Sequence, residues 1–170
     1  MSGTKPTARL NRQFPARWID VAADAGTAHA LARSILIRRR YRADAALSGG
    51  VQFYEFSSPL LEFLDDIFSV GFLISLFRGG PSGYGKVAVW TEAVDGGTRL
   101  TVSLVAGHYH STSVHGVIAE LVDSAAAAGL LIQAGEPFSG IDLSTDSPGQ
   151  PVPGYRRRQE RKASRAARQA

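Results

Sequence analysis

Cysteine is absent from these 170 residues. That absence excludes a disulfide framework, thiolate metal ligation and cysteine nucleophiles together, and it fits a reducing compartment, so a cytoplasmic location is expected. Long apolar runs are lacking too: no acid-free apolar stretch reaches the roughly 18 residues that a membrane-spanning helix needs. The N-terminal MSGTKPTARLNRQFPAR is basic but has none of the apolar core of a secretory signal. The chain therefore reads as soluble or peripheral at a membrane. Catalytic signatures are equally scarce. No Gly-x-Ser-x-Gly elbow surrounds Ser111, Thr112 or Ser113, which are explained first as helix caps. Gly79-Gly80-Pro81-Ser82-Gly83-Tyr84-Gly85-Lys86 has the glycines and the lysine of a phosphate loop, but the spacing of a Walker motif fails and a strand follows. On a helix, the adjacent Asp65 and Asp66 would point about 100° apart, which suits a solvated face better than paired acid–base work. No catalytic residue and no cofactor are assigned on this basis.

What the chain does have is charge sorted by position. Residues 1–42 carry nine Lys/Arg against Asp20 and Asp24, for a net +7. Residues 43–150 set only Arg78, Lys86 and Arg99 against twelve Asp/Glu, for a net −9, and residues 151–170 return to +6. An acidic body with basic ends can draw an anionic partner through those ends or fold them back onto itself.

The length suits one domain, and 44% apolar residues with eight Phe, five Tyr and two Trp can bury enough surface to offset the ordering entropy. Residues 1–13 are polar and aperiodic and read as a mobile basic arm. Phe14–Val21 reads as a strand, after which Asp24 or Thr27 caps a helix with Ala28, Leu31, Ala32, Ile35 and Leu36 on its apolar face. Arg38, Arg39 and Arg40 fall in its last turn, where cations meet the partial negative charge of the helix end. Tyr41–Ala46 and Val51–Phe56 flank Ser48-Gly49-Gly50 as a hairpin, with Phe53 and Glu55 on one face and Tyr54 and Phe56 on the other. Gly85–Val94 and Thr98–Ala106 around Asp95-Gly96-Gly97 form the clearest hairpin signal. A second helix, capped at Ser111, Thr112 or Ser113, carries Val114, Val117, Ile118, Leu121 and Val122 and ends at Gly129. The domain is placed at 14–132, followed by an irregular Pro/Gly linker over 133–155 and a disordered basic tail over 156–170.

This order predicts an α+β fold: an antiparallel sheet of four or five strands with helices packed on one face. Over about residues 14–132, the element order resembles a reduced START-like helix-grip domain, in which a curved antiparallel sheet wraps a long C-terminal helix.

The segment PLLEFLDDIFSVGFLISLF, residues 59–77, is the main candidate for contact with something else. Its first half is amphipathic, with Glu62, Asp65, Asp66 and Ser69 on one face. From Ile67 to Phe77 it is apolar over 11 residues, about half a membrane span, so burial inside the protein is the first reading. Burying Phe68, Phe72, Leu73, Ile74, Leu76 and Phe77 would contribute on the order of 10 kcal/mol, so these side chains need a partner. Phe68, Phe72, Leu73, Ile74, Phe77 and Trp90 are the candidate ligand-binding residues. Arg156, Arg157, Arg158, Arg161, Lys162 and Arg165 of the tail are the candidate contacts with an anionic membrane surface.

His108 and His110, at a strand end, would share one face about 7 Å apart, with His115 close behind. Two or three imidazoles can bind zinc, but no carboxylate stands at a ligand spacing nearby, so a polar strand end is the simpler reading and no metal is assigned. His29 reads as an exposed helix residue. The expected function is a non-enzymatic binding module. It would take an apolar ligand, a lipid or a protein partner through 59–77, between sheet and helix or at an interface, self-association included. Two other classes stay open: sequence-independent nucleic-acid association through the basic ends, and a metalloenzyme built on His108, His110 and His115.

Overall fold

The computed structural model describes residues 13–44, 50–56 and 85–151. Several expectations lie outside the described residues: the arm before residue 13, the hairpin turn at Ser48-Gly49, the 59–77 stretch with Phe68, Phe72, Leu73, Ile74 and Phe77, the glycine-rich loop up to Tyr84, and the tail with Arg156, Arg157, Arg158, Arg161, Lys162 and Arg165. Alternating side chains give β1 (Pro15–Val21), whose inward residues include Ile19 and Val21. Helix α1 (Ala25–Arg38) starts where the Asp24 carboxylate accepts from the Thr27 backbone N–H at 2.9 Å, satisfying an amide that has no intrahelical partner. It ends through Arg40, whose φ of 66° is a left-handed turn into β2 (Tyr41–Ala43). Strands β3 (Val51–Phe56), β4 (Gly85–Val94) and β5 (Gly97–Ala106) follow, and β4 and β5 are joined through Asp95 and Gly96. Gly96 takes φ 81°, the conformation its lack of a Cβ permits.

After β5, Gly107 turns left-handed and leads into a 3₁₀ turn (His108–His110), which runs directly into α2 (Ser111–Ala127). No side chain caps α2, contrary to the Ser/Thr cap expected. The preceding residues are already wound, and Ser111 has helical angles rather than the extended ones that let a hydroxyl reach back to an amide. At the other end, Gly129 (φ 68°) donates its N–H to the Ala126 carbonyl, and the Leu130 N–H reaches the Ala125 carbonyl, the paired bonds of a glycine-terminated helix.

The chain does not stop at α2, as the helix-grip comparison implies. Strands β6 (Leu131–Ala134) and β7 (Phe138–Ser139) both pair with the free edge of β1. Among the described residues the antiparallel sheet therefore has seven strands where four or five were expected, in the order β2-β3-β4-β5-β1-β6 with β7 beside β1. Helices α1 and α2 cover one face. Ala28, Ala32, Ile35 and Leu36 together with Val114, Val117, Ile118 and Leu121 meet Ile19, Val21, Val87, Val89, Leu100, Val102 and Leu104 in one buried core. Each large aliphatic side chain there contributes roughly 1.5–3 kcal/mol on burial. Across the helices, Glu120 of α2 accepts from Arg38 at 2.7 Å and Arg39 at 2.8 Å, and these cations, Arg38 first, hold its carboxyl below the ordinary range. Among the described residues, no helix is long and apolar enough to cross a membrane.

Candidate functional site

Among the described residues, the interface between sheet and helices is filled with side chains, and a cleft opens on the opposite face of the sheet. There, alternation sorts side chains from adjacent strands into rows. Trp18 of β1 pairs in register with Thr101 of β5, and Thr101 pairs with Trp90 of β4. One step along, Asp20 pairs with Arg99, and Arg99 pairs with Glu92. Strands stand about 4.8 Å apart, so a short threonine between two indoles leaves a depression about 10 Å wide. A strap, residues 140–151, closes one side of it. The Ser103 hydroxyl donates to the Gly149 carbonyl at 2.7 Å, and the Gly140 N–H donates to the Phe14 carbonyl at 2.8 Å. A Cβ at Gly149 would stand 2.5 Å from the Trp90 ring, so glycine is what lets the strap lie against that indole. The result is a cleft of about 560 Å³ walled by Trp18, Val51, Trp90 and Phe138 and, from the strap, Leu143, Asp146 and Pro148.

Its charges are unevenly answered. The Arg99 guanidinium donates to both Asp20 oxygens, at 2.7 and 2.9 Å, and lies 4.0 Å from the Trp18 ring, so it leans toward β1. Gln133 adds a third donor to Asp20 at 2.7 Å. These bonds, Arg99 first, hold the Asp20 carboxyl below the usual carboxylate range despite its burial, and Asp20 in turn raises Arg99. On its other side Arg99 has Glu92 as its register partner on β4, whose negative charge also favours the charged guanidinium, and Glu92 accepts from the Trp90 indole N–H at 3.4 Å. Thr101 is 4% exposed and lines the cleft.

Trp90, the one candidate ligand residue within the described part, lines this cleft. Sequence reasoning missed Trp18, Glu92, Arg99, Phe138 and Asp146. The available signal was that Trp18 and Asp20 share one face of β1 while Arg99 and Thr101 share one face of β5; their mutual pairing was not readable. The stretch expected as an irregular linker over 133–155 supplies, within its described part, the end of β6, all of β7 and the strap.

The histidines are not gathered into a site. The 3₁₀ turn replaces the extended strand end, so His108 and His110 do not share a strand face, and no group of three His, Cys, Asp or Glu among the described residues is placed to hold a metal ion. His110 instead packs its ring 4.6 Å from Phe56 and 6.4 Å from Tyr41, against Gly85, where a Cβ would collide with it. His29 is not an exposed residue either. It is partly buried, its Nε2 lies 3.4 Å from the Thr91 hydroxyl, and burial lowers its pKa. Lys86 lies in β4, 2.9 Å from Glu55, 3.3 Å from Asp44 and over the Phe53 ring, so its ammonium is engaged by carboxylates. Compared with protein-family models, curated proteins and solved structures, the chain matches none, and a functional assignment rests on the cleft's own chemistry.

Proposed function

We propose that this chain is a binding module that holds a small amphipathic molecule in the cleft between the sheet face opposite α1 and α2 and the 140–151 strap. The observation that carries this reading is a space of about 560 Å³, within the range of ligand sites, walled by both tryptophans of the chain. Rings supply the apolar contact, and the Thr101 hydroxyl and the Glu92 and Asp146 carboxylates supply orientation. Two features of the sequence extend the proposal beyond the cleft. The apolar 59–77 stretch is suited to a protein or lipid partner, and the cations of 156–170 would bring the module to anionic surfaces, each contributing about 1 kcal/mol near such a surface.

Because the cleft holds both tryptophans, their fluorescence reports its occupancy. Nile red, a planar neutral dye, is expected to quench that emission saturably at one equivalent. A Thr101→Phe variant, which fills the floor, should lose the effect while keeping its circular dichroism. Equal dye binding by the filled variant would refute the site. Removal of residues 151–170 should abolish binding to anionic vesicles while leaving the dye titration unchanged; undiminished vesicle binding would refute the role of the tail.

A further inference from the structure

Resting on the reading that this chain meets anionic surfaces, we infer that the corner of the fold formed by the last turns of α1 and by β2 is the face it lays on an anionic lipid bilayer, with Ile37 entering the headgroup layer between arginines. Residues 33–42 hold five arginines and no acid. Arg33 and Ile37, four residues apart, share the outer face of α1, and Arg38, Arg40 and Arg42 follow; all five side chains are exposed. The acids beside them answer only part of this charge. Glu120 binds Arg38 and Arg39, Glu55 stands in register opposite Arg42, and Glu55 and Asp44 both bind Lys86. Five arginines and Lys86 against those three carboxylates leave a net +3, and Arg33 and Arg40 form no ion pair among the described residues.

Ile37 favours a bilayer over a nucleic acid. It is 50% exposed, one of two large apolar side chains left so open among the described residues. A face that met phosphates alone would gain nothing from an isoleucine among its arginines. A bilayer takes both: guanidinium groups bind lipid phosphates through paired hydrogen bonds, and an apolar side chain enters the boundary with the acyl chains. The strand register carries the argument further. Tyr41 of β2 stands opposite Phe56 of β3, and Phe56 opposite Gly85 of β4, so the chain holding the apolar residues 59–77 leaves and returns beside this corner. β1 begins at the same end of the sheet, and the arm with Lys5, Arg9 and Arg12 joins there. The opposite end of the sheet carries Asp24, Glu92 and Asp95, all exposed, with Arg99 bound by Asp20. The charge is thus polarised along the strands, and an anionic surface attracts the arginine corner while repelling the other end.

Because the chain has no cysteine, one introduced thiol carries an environment-sensitive nitrobenzoxadiazole dye at a single place. On full-length protein mixed with vesicles of three parts phosphatidylcholine to one part phosphatidylglycerol, dye at Ile37→Cys should brighten and shift to the blue. Dye at Asp95→Cys, in the β4–β5 turn, should not respond. Arg33→Gln with Arg40→Gln, which breaks no ion pair, should weaken partition to these vesicles about fivefold per arginine and leave the circular dichroism and the Nile red titration unchanged. Equal responses at positions 37 and 95, or undiminished partition of the double variant, would overturn the face. So would a double variant that loses affinity for duplex DNA while keeping its vesicle partition, which would assign the arginines to nucleic acid. Undiminished vesicle binding after removal of residues 151–170 refutes the tail and leaves this face standing, whereas a full-length chain that ignores anionic vesicles overturns both.

Discussion

Replacing Arg99 by methionine tests the charge row that shapes the cleft. Methionine keeps most of the length and apolar stem of the arginine and removes the guanidinium. The Asp20 side chain, 5% exposed, would then keep only the Gln133 amide in place of bonds of 2.7 and 2.9 Å to Arg99. Breaking a buried pair on one side costs about 3–5 kcal/mol. Arg99 itself is 31% exposed, so water already screens part of the attraction. A loss of about 2–3 kcal/mol is therefore expected, or roughly 5–10 °C in Tm for a chain of this size. Urea unfolding followed by circular dichroism at pH 7 measures it. The pH dependence supplies a second check. Arg99 depresses the Asp20 carboxyl in the folded state, so the stabilisation is present above its ordinary value of 3.8 and is lost as pH falls through the lower folded value. The gap between wild type and variant should therefore narrow in strong acid, and adding Asp20→Asn should recover part of the loss at pH 7 by removing the stranded charge. A gap under about 0.5 kcal/mol at pH 7, well below the range for such a pair, would refute the reasoning, as would a gap that persists unchanged in acid.

Gly97→Ala should destabilise by about 1–3 kcal/mol, because the added Cβ falls on the Val21 carbonyl oxygen, a backbone atom that cannot swing aside. An unchanged urea midpoint would contradict that close approach of β5 to the end of β1. Burial lowers the His29 pKa below its usual 6.5, so the unfolded chain takes up a proton first and stability should decline as pH falls through about 6.5, levelling off below the folded value. His29→Leu should flatten this decline, and a slope that survives the substitution would assign it to another group.

Local signals carried most of the element list. The Asp24 cap, the α1 stripe of Ala28, Ala32, Ile35 and Leu36, the β4–β5 hairpin around Gly96 and the Gly129 terminus each depend on residues within a few positions of one another. Such contacts are encoded where they occur. The misreadings sit where distant parts of the chain decide. His108–Tyr109–His110 looked like a strand end, but the packing of His110 against Phe56 and Gly85 accompanies a 3₁₀ turn. The Pro and Gly content of 133–151 announces an irregular path and says nothing of what that path lies against.

The sequence by itself determined the α+β class, the faces of the strands and the absence of cysteine chemistry, because period, turn residues and composition are local properties. Only the tertiary structure decided that β1 lies between β5 and the β6–β7 edge, and with it the rows Trp18–Thr101–Trp90 and Asp20–Arg99–Glu92 that make the cleft. Alternation says which way a side chain faces but not which strand will lie beside it. Pairings such as Trp18 with Thr101 are selected by the burial of the whole sheet face against α1 and α2.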